Sequence, residues 1–338
     1  MELAVTLPYA EGAMSPADVV EFAHAADELG YHSIWMAEAW SLDAFMILTS
    51  LVPHTSRIGL GTSIVNVYSR TPALIGQSIA TLDALSGGRA ILGLGASGPQ
   101  VIEGWHGIPY RKPLQRTRET IDIVRTILRR DRLVYQGEIF QLGMGLKLIN
   151  HPVRADVPIV VASLGPKNVE LTAEIADGWM PTLYSPTKGP EVFRPALEAG
   201  RAKRSPDLGP LTVYGSAAVA IGDDPAMARG MVRQMLALYL GGMGSRDANF
   251  YNHLVQRYGF VDEAIAVQDL YLAGKRDEAV AAVPDALIDD LAAIGDAGAV
   301  KDKLAAFAAA GVDVLMVSLV ASDQASRMAL LEELPSLV

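Results

Sequence analysis

The chain has 338 residues, of which half are hydrophobic and 20% are charged, and it has a net charge of −10 at pH 7 and no cysteine. This composition excludes general disorder, and the length suffices for two average domains or for one large α/β barrel. The lack of cysteine excludes disulfides and thiolate metal sites, and the acidic balance argues against nucleic acid or a membrane surface as partner. A cytoplasmic protein that acts on a small molecule is therefore expected.

Strand-like and helix-like patterns alternate along the chain. Apolar runs typical of strands occupy residues 3–7, 33–36, 58–67, 90–94, 159–162, 178–182, 213–221 and 312–319. Apolar residues at helical spacing predict helices over residues 17–29, 44–51, 73–85, 114–130, 167–176, 191–203 and 226–240. Eight strands separated by helices predict one α/β domain over residues 1–338, a closed (β/α)8 TIM barrel. The additional length predicts two insertions, a strand-containing segment at about 131–157 and a helical one at about 241–300, before the last strand.

A glycine-rich segment follows the fourth predicted strand. Gly93, Gly95 and Gly98 match the Gly-x-Gly-x-x-Gly pattern of dinucleotide-binding folds. That pattern requires a helix at the third glycine and a second strand that ends in an acidic residue about 20 residues later, whereas no strand pattern occurs there. The segment is also the fourth strand of the chain and not the first. We therefore interpret it as a bare backbone that lets a flat ligand approach closely.

Two further positions at predicted strand ends leave alternatives open. Gly165 and Pro166 open a helix after the fifth strand, where free amides and the hydroxyl of Ser163 could bind a phosphate, although Gly-Pro also occurs in ordinary turns. Glu38 follows the second strand, where it could orient a ligand or transfer a proton, or equally could be an exposed or helix-capping acid. The six histidines show no metal-ligand spacing, so no metal site is predicted.

A set of short motifs extends along nearly the whole chain. They are Trp35–Trp40, Arg57–Ser63, Leu85–Arg89, Gly93–Gln100, Glu103–Gly107, Gly165–Asn168, Ala176–Trp179 and Leu238–Gly244. Together they resemble the luciferase-like monooxygenase superfamily, and within it the branch of coenzyme F420-dependent oxidoreductases of actinobacterial type, which is related to methylenetetrahydromethanopterin reductase. The resemblance implies an oxidoreductase with coenzyme F420, a deazaflavin, as cofactor.

The resemblance also implies the composition of the site, at the C-terminal rim of the barrel, where hydride is exchanged with a small organic substrate. The bond between Ser63 and Ile64 is expected to be a cis peptide beneath the cofactor ring. The other implied cofactor-binding residues are Glu38, Asn66 at the ring edge, Gly95, Ser97 and Gly98 beside the ribityl chain, and Ser163, Leu164, Gly165 and Pro166 around the phosphate. Trp40 and Tyr184 are expected in the substrate pocket.

Two departures from the family affect the expected chemistry. Several deazaflavin relatives carry Asp-His after the second strand, where this chain has Glu38 and Ala39, and one branch uses a glutamate where this chain has Pro99. Glu38 is therefore the expected catalytic residue. Reduction of an imine, enone or activated alkene is expected, rather than a histidine-assisted oxidation of an alcohol or sugar.

Two other functions are compatible with these residues. An FMN-dependent monooxygenase would bind a similar tricycle and phosphate and would use reduced flavin with oxygen. A cofactor-binding module without turnover would explain the lack of an obvious acid–base residue. The apolar composition and the family resemblance favour a homodimer or a larger homo-oligomer.

Overall fold

Parallel strands organise the structure, a computed structural model that describes residues 1–8, 14–222, 225–244, 246 and 248–338. Its strands are β1 (Glu2–Thr6), β2 (Ser33–Met36), β3 (Gly59–Thr62), β4 (Val65–Asn66), β5 (Ala90–Gly95), β6 (Leu133–Gln136), β7 (Gln141–Leu146), β8 (Ile159–Ala162), β9 (Gly178–Met180), β10 (Thr212–Ile221), β11 (Ala293–Gly295) and β12 (Val314–Leu319). In this described part, β1, β2, β3, β5, β8, β9, β10 and β12 pair in parallel in that order, and β12 pairs with β1. The predicted (β/α)8 barrel is thus confirmed.

Helices follow the strands and cover the outside of the barrel. They are α1 (Pro16–Glu28), α2 (Ala44–Leu51), α3 (Pro72–Ser86), α4 (Pro99–Gly104), α5 (Pro113–Leu128), α6 (Pro166–Ile175), α7 (Gly189–Arg201), α8 (Ala226–Gly242), α9 (Phe250–Arg257), α10 (Val261–Leu272), α11 (Arg276–Ala281), α12 (Asp285–Leu291), α13 (Ala297–Ala309) and α14 (Gln324–Glu333). Ser15 and Asp18 form a capping box that starts α1. No helix among the described residues is long and apolar enough to cross a membrane.

The fully buried ring of Trp35 fills the barrel interior. It lies so close to β3 that a Cβ added at Gly61 would be 2.4 Å from Cε3 of the indole. A Cβ at Gly93 would be 1.7 Å from the carbonyl oxygen of Thr62, so both strands require glycine here. Ile64 and Ala162 pack against the interior cluster, which consists of Trp35, Ala4, Ile91, Val160, Met180, Tyr214, Val314 and Met316. The interior is therefore a packed core that supports residues at the C-terminal ends of the strands.

The structure corrects several element boundaries. The run over residues 58–67 divides into β3 and β4 at the peptide bond between Ser63 and Ile64, and the strand predicted over 178–182 ends at Met180. The short helix α4 begins after Gly98, where the sequence pattern indicated none, but the next strand is β6, so the dinucleotide-binding interpretation still fails. Residues 131–157 contain the antiparallel hairpin β6–β7, and residues 241–300 contain helices α9–α12 and the unpredicted strand β11.

Candidate functional site

A cavity of about 720 Å³ lies at the C-terminal ends of β3, β5, β8 and β9. Its lining includes most of the residues that the sequence predicted for the site, namely Trp40, Ser63, Ile64, Gly95, Ser97, Gly98, Ser163, Leu164, Gly165 and Pro166. Glu38, Asn66 and Tyr184 do not line it. The fold thus brings together residues from four separate strand ends, as the C-terminal face of such a barrel commonly does.

The floor of the cavity is formed where β3 ends. The peptide bond between Ser63 and Ile64 is cis, as the family resemblance implied. The Ser63 amide donates a 2.8 Å hydrogen bond to the carbonyl of Met36. A Cβ at Gly95 would lie 3.0 Å from Cγ1 and Cδ1 of Ile64, so a glycine at this position leaves room for the Ile64 side chain. With Ala162, these residues give the cavity an apolar floor.

Asn66 has an unsatisfied hydrogen-bond donor directly beside this floor. It pairs with Gly95 in the sheet and is 1% exposed. Its Oδ1 accepts hydrogen bonds from the backbone amides of Tyr68 at 3.0 Å and Ser69 at 2.7 Å. Its Nδ2 is buried and has no hydrogen-bond partner among the residues that the structure describes. Because a buried donor without a partner is costly, this amide is suited to a carbonyl or ring atom of a bound ligand.

Ser97 forms part of the wall after β5 in a left-handed backbone conformation, with φ of 57°. The hydroxyl of Tyr110, which also lines the cavity, donates a 3.2 Å hydrogen bond to the carbonyl of Ser97. The Tyr110 ring stacks on Tyr68 at 5.2 Å, and the Arg116 guanidinium lies 4.6 Å from the Tyr68 ring. Burial raises the pKa of Tyr110, so its hydroxyl stays protonated as a donor at neutral pH. This stack fixes the backbone of Ser97.

The N-terminus of α6 faces the cavity from the end of β8. Gly165 is its N-cap, and no side chain caps the helix. The amides of Asn168 and Val169 bond to the Gly165 carbonyl, while those of Leu164, Gly165 and Lys167 have no partner among the described residues. A Cβ at Gly165 would meet nothing within 4 Å. The predicted cradle therefore has open space, unpaired amides and the ammonium of Lys167, which together suit an anion such as phosphate.

Ser163 lines the cavity, but its hydroxyl is already engaged. It shares a 2.9 Å hydrogen bond with the hydroxyl of Thr172. When Thr172 donates its own hydrogen to the carbonyl of Asn168 at 2.8 Å, Ser163 is the donor to Thr172. The predicted donation from Ser163 to a phosphate is not available in this arrangement. Asn168, which was not predicted from the sequence, has a buried Oδ1 without a hydrogen-bond partner in the described part of the chain, and it also lines the cavity.

Glu38 is engaged in a network outside the cavity. Its carboxylate binds the guanidinium of Arg70 through both oxygens, and Oε2 also accepts a 3.1 Å hydrogen bond from the Ala44 amide at the start of α2. Arg70 also binds Asp43, the N-cap of α2, at 2.6 Å. The prediction that Glu38 faces the cofactor as an acid is therefore corrected, because both oxygens have structural partners and neither borders the cavity.

Tyr184 belongs to the core and not to the substrate pocket. It is 3% exposed, and its hydroxyl donates a 2.9 Å hydrogen bond to the carbonyl of Ala310. Its ring packs on Trp179 and Phe193 at centroid distances of 6.0 and 6.1 Å. The prediction of a substrate contact at Tyr184 is corrected accordingly.

The helical insertion contributes cavity residues that the sequence analysis did not predict. They are Tyr239, Gly242, Met243, Phe250 and Tyr251, from the end of α8 and the start of α9. Tyr239, Gly242 and Met243 lie in the motif Leu238–Gly244, which belonged to the family pattern without an assigned role, whereas no signal in the sequence indicated Phe250 or Tyr251. No group of three or more histidines and acidic residues in the described ranges could hold a metal ion.

Comparison with known sequences gives relatives that align over most of the chain. A Mycobacterium tuberculosis protein named "Putative coenzyme F420-dependent oxidoreductase" is 41% identical over 346 aligned positions, which cover 98% of this chain and 99% of that protein. The 5,10-methylenetetrahydromethanopterin reductase of Archaeoglobus fulgidus is 29% identical, and the alignment covers 85% of this chain and 85% of that protein.

Solved structures show the same fold. The coenzyme F420-dependent tetrahydromethanopterin reductase of Methanopyrus kandleri superposes with a TM-score of 0.83 at 24% identity, covering 100% of this chain and 99% of that one. An F420-dependent secondary alcohol dehydrogenase gives a TM-score of 0.75 at 19% identity, with coverage of 100% and 99%. The sequence model of a family described as luciferase-like monooxygenase matches residues 1–314. The resemblance seen in the motifs is thus confirmed, and the chain belongs to the luciferase-like monooxygenase family.

Proposed function

We propose that this protein is a coenzyme F420-dependent oxidoreductase that transfers a hydride between the deazaflavin and a small organic substrate in the cavity at the C-terminal ends of the barrel strands. The observation that carries the proposal is the end-to-end similarity to F420-dependent proteins, at 41% identity for the Mycobacterium tuberculosis relative. The cavity supplies an apolar floor and an anion-binding helix terminus, and the unpaired amide donor of Asn66 lies beside that floor.

The residues present fit the chemical groups of the cofactor. Ile64, Gly95 and Ala162 would support a planar ring, and the buried Nδ2 of Asn66 would donate to an acceptor at the ring edge. The buried Oδ1 of Asn168 would accept from a ribityl hydroxyl. The unpaired amides before and within the first turn of α6, with Lys167, would hold the phosphate.

The bound deazaflavin would supply a two-electron hydride donor or acceptor, so the protein needs no nucleophile of its own. The role of the chain is then to hold the reactants in place beside each other. The described residues that line the cavity include no carboxylate and no imidazole. This composition favours reduction of an imine, enone or activated alkene, with the proton taken from solvent. Glu38 has no part in this mechanism, because its oxygens are bound by Arg70 and Ala44.

An equilibrium titration of the purified protein with F420 and with FMN tests the cofactor, with cofactor fluorescence as the signal. We expect F420 to bind at least about tenfold more tightly than FMN. Reduced F420 should then be oxidised anaerobically by members of a panel of enones and imines. Tighter binding of FMN, with oxygen consumption by the reduced flavin complex, would support the monooxygenase alternative. Tight F420 binding without oxidation by any acceptor would support a binding module.

A further inference from the structure

The end of α8 and the start of the helical insertion form one side of the cavity with aromatic and thioether side chains. We call Tyr239, Met243, Phe250 and Tyr251 the insert wall; they come from the end of α8, the loop after it and the start of α9. All of them line the same cavity as Ile64 and Gly95. The insertion therefore contributes directly to the site, and its side chains meet whatever is bound beside the apolar floor.

Two buried asparagines hold the insert wall in place. Asn249 is fully buried, and its Nδ2 donates hydrogen bonds to the carbonyls of Tyr239 and Leu240, each at 2.9 Å. Its Oδ1 caps α9 by accepting from the amides of Tyr251 and Asn252 at 3.0 Å. Asn252 in turn donates to the carbonyl of Leu240 at 3.0 Å. Because these bonds are internal to the fold, they hold the wall without any contact from a ligand.

The rings of the wall are packed as well as anchored. Tyr239 and Tyr251 meet edge to face, with centroids 4.6 Å apart. A Cβ at Gly242 would be 2.7 Å from Cε1 of Tyr271, so the end of α8 lies tightly against α10. A preformed aromatic surface of this kind favours flat apolar ligands, because little side-chain entropy is lost on binding.

Two large aromatic side chains of the cavity remain exposed to solvent. Phe250 in the insert wall is 47% exposed, and Trp40 after β2 is 51% exposed. Each would gain from burial against an apolar ligand, since removing apolar surface from water is favourable. Lys167 is the one side chain with a full charge at neutral pH among the described residues of the lining, and it lies at the α6 terminus. A substrate anion bound away from that terminus would thus lose its hydration without gaining a positively charged partner.

We infer that the insert wall makes the site selective for planar, uncharged substrates, and that Phe250 is a specificity-determining residue. The inference rests on the proposed function, since it names the class of substrate that the same site accepts. For an enone of this class, a hydride from reduced F420 would go to the β-carbon and a proton from solvent to the α-carbon. The cofactor is then oxidised and the alkene is reduced.

Equilibrium calorimetry with two matched ring compounds tests the inference. The neutral ketone 2-acetylnaphthalene and the anion 2-naphthoate share one bicyclic ring, and each is titrated into the F420-loaded protein, in which the anion cradle at the α6 terminus is occupied. We expect the ketone to bind at least about tenfold more tightly than the anion. Phe250→Ala should weaken ketone binding at least about fivefold, while Leu272→Ala, at an equally exposed position of α10 outside the cavity lining, should change it less than about twofold.

Equal or tighter binding of the anion, no binding of either compound, or an unchanged ketone affinity in Phe250→Ala would overturn the inference. The F420 titration of the same variants separates this outcome from a failure of the proposed function. If F420 does not bind to the unchanged protein, the cofactor assignment is wrong, whereas the effect of Phe250→Ala on ketone binding to the protein without F420 still tests the role of the insert wall.

Discussion

Arg70 binds both carboxylate oxygens of Glu38 and also reaches Asp43, so that one guanidinium joins the loop after β2 to the start of α2. The Glu38 and Arg70 side chains are only 10% and 15% exposed. The segment between Glu38 and Asp43 carries Trp40, which lines the cavity. This ion-pair network therefore anchors one side of the cavity opening.

The first prediction follows from this network and concerns Glu38→Gln. We expect the free energy of unfolding to fall by about 1–3 kcal/mol, because the substitution leaves the Arg70 guanidinium short of a partner in a nearly buried site. The single-turnover rate of reduced F420 oxidation should stay within about threefold of the unchanged protein, because Glu38 does not border the cavity. Urea denaturation and stopped-flow absorbance measure the two quantities.

Asp131→Asn is the matched control for this prediction. Its ion pair with Arg129 is half exposed, so its loss should change the unfolding free energy by less than about 1 kcal/mol. A fall of about 10²–10⁴-fold in the single-turnover rate of Glu38→Gln, with unchanged stability, would restore Glu38 as a general acid.

The second prediction concerns pH and the fully buried carboxylate of Glu119, which holds the β6–β7 hairpin on α5. The carboxylate accepts hydrogen bonds from the amides of Glu138, Ile139 and Phe140, at 2.7 to 3.2 Å, and from the Gln115 side chain. Burial acts to raise the pKa of Glu119, but these hydrogen bonds outweigh it and lower the pKa below its ordinary value of 4.5. The stabilisation is thus complete above the unfolded-state pKa and is lost as the pH falls through the lowered folded-state pKa.

Glu119→Gln removes this titration. At pH 7 we expect the free energy of unfolding of the variant to be about 2–3 kcal/mol lower than that of the unchanged protein. This difference should shrink as the pH is lowered below about 4. Urea denaturation between pH 7 and pH 3 measures it, with Glu138→Gln, whose side chain is 53% exposed, as the control. A difference that stays constant over this pH range would contradict the assigned role.

The third prediction concerns the anion cradle at the α6 terminus. Gly165→Leu should weaken F420 binding at least about tenfold, because its side chain would fill the open space beside the unpaired amides. The fold should persist, since a Cβ at this position meets nothing within 4 Å. Gly143→Leu, at an exposed position of β7 with similar open space, should leave the affinity unchanged. Calorimetry measures the affinity of each variant for F420. An unchanged affinity in Gly165→Leu would show that the phosphate binds elsewhere.

The fourth prediction concerns the left-handed backbone of Ser97. Ser97→Val should lower the free energy of unfolding by about 1–2 kcal/mol, because a β-branched residue is strained at a φ of 57°. Ser97→Gly should keep or raise it, by up to about 1 kcal/mol, because glycine adopts this conformation without strain. Chemical denaturation of both variants measures the effect. Equal stability of the two would mean that Ser97 does not hold this conformation in solution.

The sequence by itself determined the barrel and the position of most of its site. Strand and helix patterns repeat over short distances, so the eight barrel strands could be predicted from local spacing. The apolar pattern over 58–67 did not show the division at Ser63, where only the family resemblance implied a cis peptide. The segments Gly95–Gly98 and Ser163–Pro166 were identified because they follow strands directly, and parallel strands bring their C-terminal ends to one face of the barrel.

Only the tertiary structure decided which side chains point into the cavity and which are already engaged. The partner of Glu38 is Arg70, 32 residues away, and the partner of Tyr184 is the carbonyl of Ala310, 126 residues away. Neither contact can be recognised from neighbouring residues in the sequence. Glu38 and Tyr184 were predicted as site residues because they follow strands, whereas their polar groups have partners within the fold. Phe250 borders the cavity from the start of α9, which Asn249 and Asn252 hold against the end of α8. Which side of α9 lies against the cavity depends on the completed fold, so the sequence did not identify Phe250.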